Sequence, residues 1–400
     1  MFSSFSVKDF RIYWIGMFVS FCGSWIQTIA QSWLVFELSK SAFLLGLVGF
    51  ISNFPIFLLS IFSGVLVDRI NKKYLLLATQ AAFMVLAFAL AILTQFNIIT
   101  INLIIIISVL NGIVFTLDAP ARQSIVVELV GKQNLMNGIA LNSIAFHSAR
   151  MIGPALAGIL IAAVSTSGCF YINAISFLAF IVALLVIKPN HVPRDKNINF
   201  FEDLKSGVNF IKQNRVFLIL ITITGTISLF GYSYMVLMPV FAKMILGQGA
   251  KGYGILMSAT GIGSLLGGLF IASLKSPKTQ PRVLIVSLFT FSFCLILFSL
   301  SKLLITSCVI LVVIGFSSLC CLAIINTIVQ TIVPDKFRGR IMSIYVITFA
   351  GTIPFGSLIA GAVSQSIGVD KAIFLSGIIC LSLFLVFYKK ILFNQELFTV

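Results

Sequence analysis

The chain has 400 residues, of which 59% are hydrophobic and only 10% charged, and its formal charge is +16. A soluble domain carries about 25% charged residues, so a water-facing surface over the whole chain is excluded and most of its solvent is lipid. The positive charge does not indicate nucleic acid, because Lys and Arg fall in short clusters between long apolar runs, as they do in membrane loops.

A spanning helix needs about 20 apolar residues. Twelve runs approach this in chain order, near 12–36, 42–67, 74–95, 101–117, 136–163, 168–187, 217–241, 252–273, 283–301, 303–330, 340–365 and 370–390. The first is too long for a cleavable signal peptide and no small-residue cleavage site follows it, so it is expected to stay as the first helix. The fourth is short, reaching toward Asn97 on one side and Asp118 on the other. With a cytoplasmic N-terminus, the clusters Arg69 to Lys73, Arg194 to Arg215 and Lys336 to Arg340 all fall inside. Only Lys40, Lys243, Lys251, Lys302 and Lys371 fall outside. This bias of roughly four to one predicts an all-α integral membrane protein with twelve spans and both termini in the cytoplasm. The seven cysteines show neither metal-ligand nor disulfide spacing and read as packing residues.

The longest polar stretch, Lys188 to Arg215, lies between the sixth and seventh runs. It divides the chain into a six-helix bundle over 1–187, a linker over 188–216 and a second six-helix bundle over 217–400. Within the linker, Phe201, Leu204, Val208 and Ile211 have helical spacing, which predicts an amphipathic surface helix over Phe200 to Phe217. The halves share a proline in the fifth and eleventh runs, Pro154 and Pro354. Each follows a Pro-containing basic segment, Pro120-Ala121-Arg122 or Pro334 to Arg338, read as a loop. Six plus six related helices is a transporter plan with its substrate site near the midplane.

Between the second and third runs the sequence reads Gly64-Val65-Leu66-Val67-Asp68-Arg69-Ile70-Asn71-Lys72-Lys73. This resembles motif A of the major facilitator superfamily, departing at Asn71, where the family usually has Gly. Asn tolerates left-handed geometry, so the turn is expected to survive. Gly64 permits close helix approach. Asp68 is suited to accept from a neighbouring helix N-terminus, and Arg69, Lys72 and Lys73 are expected to hold the loop in the cytoplasm. The matching loop of the second half, Lys275 to Lys278, has no Asp. In the fifth run Gly153-Pro154-Ala155-Leu156-Ala157-Gly158 resembles motif C of the antiporters, with Ile159 where the family has a further Gly. Pro154 is expected to kink the helix.

Longer stretches, Trp25 to Leu38, Asp118 to Gln123, and Ala140 to Ser143 running on to Ala149 through Pro154, resemble the enterobactin-exporter and macrolide-efflux branch. That resemblance is dense over residues 10–190. It implies a monomeric secondary exporter of siderophores or drugs, usually proton-driven, in the bacterial inner membrane. It implies neither an enzyme nor a cofactor or resident metal. A lipid flippase on the same fold and an importer are the alternatives.

Polar residues inside the runs are the candidate site. Arg150 lies about 14 residues, roughly 21 Å, from the cytoplasmic end of the fifth run. A central Arg costs at least about 2.5–3.5 kcal/mol to insert, so it should meet a cavity or a partner. Two accounts stand: attraction of an anionic substrate group, or a structural pair with carbonyls or an acid. His147 shares its face. Gln27 and Gln31, Asn53, Tyr232 and Tyr234, and Asn326 and Gln330 complete the set, either as interhelical hydrogen bonds or as cavity lining. Glu37, Asp118 and His147 are the candidates for proton coupling; Asp118 and Arg122 are also spaced to pair.

Overall fold

The computed structural model describes residues 3–131, 133–189, 214–274, 279–333 and 335–393. The expected amphipathic helix of the linker, Pro334 and the Lys275 to Lys278 loop lie outside these residues. Of Gly64, Asp68 and Arg69 only the backbone is described.

Every described element is helical. A short 3-10 turn, Ser3–Ser6, leads into α1 (Lys8–Ser39), which ends where Lys40 turns left-handed at φ 50° and its N–H closes on the Phe36 carbonyl. Next come α2 (Ala42–Arg69), α3 (Lys72–Gln95) and α4 (Ile101–Val130). Asn71 corrects an expectation. Its φ is −62°, not left-handed, and its side chain accepts from the N–H groups of Lys73 and Tyr74. The residue that replaces the family's Gly is thus the N-cap of α3.

The fourth run also differs. α4 continues to Val130 and ends at Gly131, φ 69°. Pro120, Ala121 and Arg122, read as a loop, lie inside this 30-residue helix, about 45 Å long. Arg122 therefore leaves the set of loop charges, and the roughly four-to-one bias persists without it.

α5 (Leu135–Val186) is 52 residues long but is broken at Ser165, φ 65° and ψ 177°. A straight helix of that length would reach about 78 Å, against a hydrocarbon core of about 30 Å. Its arms over 135–164 and 166–186 are each of spanning length. The remaining elements are α6 (Arg215–Thr226), a π turn (Ile227–Gly231), α7 (Tyr234–Met244), α8 (Ala250–Ser273), α9 (Gln280–Leu300), α10 (Leu304–Ile332), α11 (Asp335–Ile367) and α12 (Val369–Phe393). Eleven helical stretches among the described residues are long and apolar enough to cross a membrane, counting α5 once and α6 through α7 as one. This is compatible with twelve spans.

Two compact units result. The first is Met1–Lys40, Ile51–Asn197 and Ala250–Ser258; the second is Ser41–Phe50, Ile198–Gly249 and Ala259–Val400. In lipid there is little hydrophobic drive between helices, so close packing and interhelical hydrogen bonds must hold them. In the first unit α1 lies between the arms of α5. A Cβ on Gly16 would sit 2.6 Å from Ala183 Cβ, and one on Gly153 would sit 2.5 Å from Trp25 Cβ. The buried centre joins Phe10, Tyr13 and Met17 to Leu76, Ile125, Phe180 and Leu184. At the start of α8, Gly254 packs on Gly158, where a Cβ would lie 2.8 Å from the Gly158 Cα. The second unit contains the same device: Gly361 of α11 faces Gly46 of α2 at 2.9 Å by the same measure.

Candidate functional site

The most extensive polar cluster in the first unit is built on α4. Asp118 and Arg122 are four apart on one face, and Arg122 Nε donates to Asp118 Oδ2 at 2.5 Å. Asp118 Oδ1 accepts from two α3 residues, Thr79 Oγ1 at 2.8 Å and Gln80 Nε2 at 2.6 Å. From α1, Ser20 Oγ accepts from Arg122 Nη2 and donates to Gln80 Oε1, both at 3.4 Å. The guanidinium lies between Phe21 of α1 and Phe180 of α5, 4.9 and 4.5 Å from their ring centroids. Tyr13 Oη donates to the Arg122 carbonyl. Asp118 and Arg122 are 2% and 7% exposed. Arg122 Nη1 is buried without a partner among the described residues.

Asp118 was expected at the end of a span. It is instead about 12 residues, or 18 Å, inside the C-terminal end of α4. Arg150 is therefore not the sole charge deep in a helix.

A second ionic contact joins α3 to α4. Lys72 Nζ stands 3.6 Å from Glu128 Oε1, with both side chains buried. Lys73 Nζ donates to the carbonyls of Leu185 and Ile187, at 3.0 and 2.7 Å. There it caps the last turn of α5. The lysines expected to be solvated anchors are thus engaged within the first unit.

The amides of α1 are also engaged. Gln27, 9% exposed, accepts from Asn173 Nδ2 at 2.7 Å, and Asn173 Oδ1 accepts from Ser176 Oγ. Gln31 Nε2 donates to Ser108 Oγ at 2.9 Å. Asn53 is half-buried on α2. Arg150 is half-buried, with its guanidinium 5.7 Å from the centroid of the Trp25 ring. His147 stacks edge-on against Phe146, and its Nδ1 is buried with no hydrogen-bond partner among the described residues. Glu37 is exposed near the end of α1.

In the second unit Tyr232 follows the π turn and meets Phe349 and Phe291, with centroids 5.8 and 6.5 Å away. Tyr234, at 1% exposure, is a core residue against Phe298. Gln330 Nε2 donates to Asn326 Oδ1 on the same face of α10. The π turn carries the five-apart bond from the Tyr232 N–H to the Ile227 carbonyl, and such turns recur at functional sites.

The family described as transmembrane secretion effector, of the major facilitator type, matches residues 1–397. The chain belongs to this family of major facilitator transporters. Over 94% of its length it is 28% identical to the staphyloferrin A transporter of Staphylococcus aureus, covering 95% of that protein. Macrolide efflux protein A of Streptococcus pyogenes is 22% identical, with 96% of each chain covered. The enterobactin exporter EntS of Salmonella typhi is 22% identical over 84% of this chain and 81% of that one. Among solved structures, a bacterial homologue of the human lysosomal transporter Spinster, inward-facing and unoccupied, superposes with a TM-score of 0.75 at 14% identity, covering 98% and 97% of the two chains. The nucleoside transporter NupG gives 0.70 at 16% identity, covering 96% and 99%. These two structures share the fold of this chain, and the family match together with the long apolar helices makes it a multi-pass membrane protein.

Sequence reasoning missed Thr79, Gln80, Glu128 and Asn173. The available signal was chemical: each is a strong hydrogen-bonding group within an apolar helix, which in lipid demands a partner.

Proposed function

We propose that this major facilitator transporter is a twelve-span secondary exporter of a small anionic metabolite, a siderophore or a similar molecule. It works by alternating access, driven by protons, in the bacterial inner membrane with both termini cytoplasmic. The two arms of α5 count as two spans, and the bundles are 1–187 and 217–400, joined through 188–216. The observation that carries the substrate class is the 28% identity to the staphyloferrin A transporter along nearly the whole of both chains. Arg150, a cation in the first arm of α5 beside Trp25, supports it as the group that meets an anionic part of the substrate. His147 one turn earlier offers an unpartnered nitrogen to the same ligand. Asn53, Tyr232 and the Asn326–Gln330 pair add lining. Gln27, Gln31 and Tyr234 act mainly in packing, because the two amides are already bonded between helices and the tyrosine is buried.

The test is uptake of labelled staphyloferrin A into inside-out vesicles under an imposed pH gradient. Loss of a charged contact costs about 1.5–3 kcal/mol, so Arg150→Ala should lower uptake at least about tenfold. Arg150→Lys should retain part of it. Undiminished transport by Arg150→Ala would remove Arg150 from the site. If staphyloferrin A is not moved and a macrolide is, the drug-efflux reading holds; the 22% identity to macrolide efflux protein A across 96% of both chains favours it as second choice. Movement of labelled lipid alone would mean a flippase.

A further inference from the structure

Among the acids whose side chains are described, only Asp118 and Glu128 are buried. Glu128 is two residues from the end of α4, whereas Asp118 is about 18 Å inside it. Glu37 is exposed, and His147 Nδ1 has no hydrogen-bond partner among the described residues. A buried ion pair that merely packed could often have been replaced, both partners together, by apolar residues at little cost to the fold. We propose that Asp118 is the carboxylate that carries the transported proton, and that Arg122 is the counter-charge its protonation releases. This rests on the proton-driven reading above.

The geometry makes the pair responsive to a single proton. Arg122 has five N–H donors. Its short bond goes to Asp118, its contact with Ser20 is long, and Nη1 has no partner among the described residues. When a proton from water bonds to Oδ2, the carboxylate becomes a neutral acid and the charge pair is lost. The guanidinium then keeps only the two aromatic faces and one hydroxyl. It must shift toward another acceptor. Nothing is oxidised or reduced; the proton leaves later from the same oxygen to water, and the pair re-forms.

Such a shift reaches other helices directly. Arg122 touches Ser20 and Phe21 on α1 and Phe180 on the second arm of α5, while Asp118 is bonded to Thr79 and Gln80 on α3. Among the described residues, the other titratable group facing the pair is Tyr13 of α1, bonded to the Arg122 carbonyl. Among the same residues, the α3 and α5 side chains in contact with the pair, Thr79, Gln80 and Phe180, are neutral. One proton on α4 thus biases how α4 packs against three neighbouring segments, which is what a coupling site must do.

The experiment uses purified protein in vesicles and labelled staphyloferrin A as probe. Two rates are read in the same preparation: accumulation driven by a pH gradient, and exchange at equal pH. Asp118→Asn with Arg122→Gln removes both charges while keeping shape. The ratio of driven accumulation to exchange should fall at least about tenfold. A wild-type ratio in this variant would overturn the proposal. Loss of both rates in a folded variant would also overturn it, since that is the result of a structural brace. Asp118→Glu provides a check that does not depend on the neutral pair folding. It should displace the pH profile of driven transport and leave exchange measurable, and a wild-type profile would overturn the proposal. If the wild type itself shows no dependence on the pH gradient, the proton-driven reading fails first.

Discussion

Lys72 and Glu128 form an ion pair whose energetic coupling can be measured. Their side chains are 4% and 3% exposed and the charges are 3.6 Å apart. At an effective dielectric constant of 20, Coulomb attraction at that distance is about 5 kcal/mol. Desolvating two ions offsets much of it, so the net value of the intact pair is small. Removing one partner is different, because the buried charge that remains loses the opposite charge beside it, which costs about 3–5 kcal/mol. Lys72→Met and Glu128→Gln should therefore each destabilise the first unit by at least about 3 kcal/mol, lowering the thermal midpoint by roughly 6–12 °C for a unit of this size. In Lys72→Met/Glu128→Gln both charges of the pair are gone together, so the double loss should fall short of the sum by about 1–3 kcal/mol. The assay is the thermal midpoint of detergent-purified single and double variants, compared as a cycle. Strictly additive losses would refute the pairing, and with it the role assigned to Lys72 within the motif.

Two further outcomes concern backbone geometry. Asn71→Ala should cost about 1 kcal/mol and Asn71→Gly only a few tenths, because the residue caps α3 and does not hold a left-handed turn; the midpoints of the two variants check this. Ser165 sits where essentially only glycine is comfortable, so Ser165→Gly should raise the midpoint, by about 1 kcal/mol in stability terms.

The apolar runs read from the sequence fall within observed helices to within a residue or two, the seventh covering α6, the π turn and α7. Lipid leaves the backbone no other donors and acceptors, so hydropathy alone carries that information. The fourth run is the instructive failure. Asp118, Pro120 and Arg122 look like a loop when each is scored separately, yet the helix continues to Val130. Arg122, Thr79 and Gln80 satisfy the carboxylate, and no local scale registers partners on another helix. The pairing of Asp118 with Arg122 was readable because four residues is one helical turn. The partners of Gln27 and Gln31 were not, since Asn173 and Ser108 lie 146 and 77 residues away in the chain. Asn71 misled for a different reason: its residue type suits both a left-handed turn and an N-cap, and only the backbone distinguishes them.

Pro55 lies inside α2, which belongs to the second unit up to Phe50 and to the first from Ile51 onward. A proline has no N–H to give to the carbonyl four residues before it, and for Pro55 that carbonyl is on Ile51. The ladder of α2 thus lacks its rung at the residue where the helix passes from one body to the other. Bending a helix usually means breaking a hydrogen bond in a medium with nothing to replace it. At Pro55 that bond was never made, so a bend of α2 there breaks none.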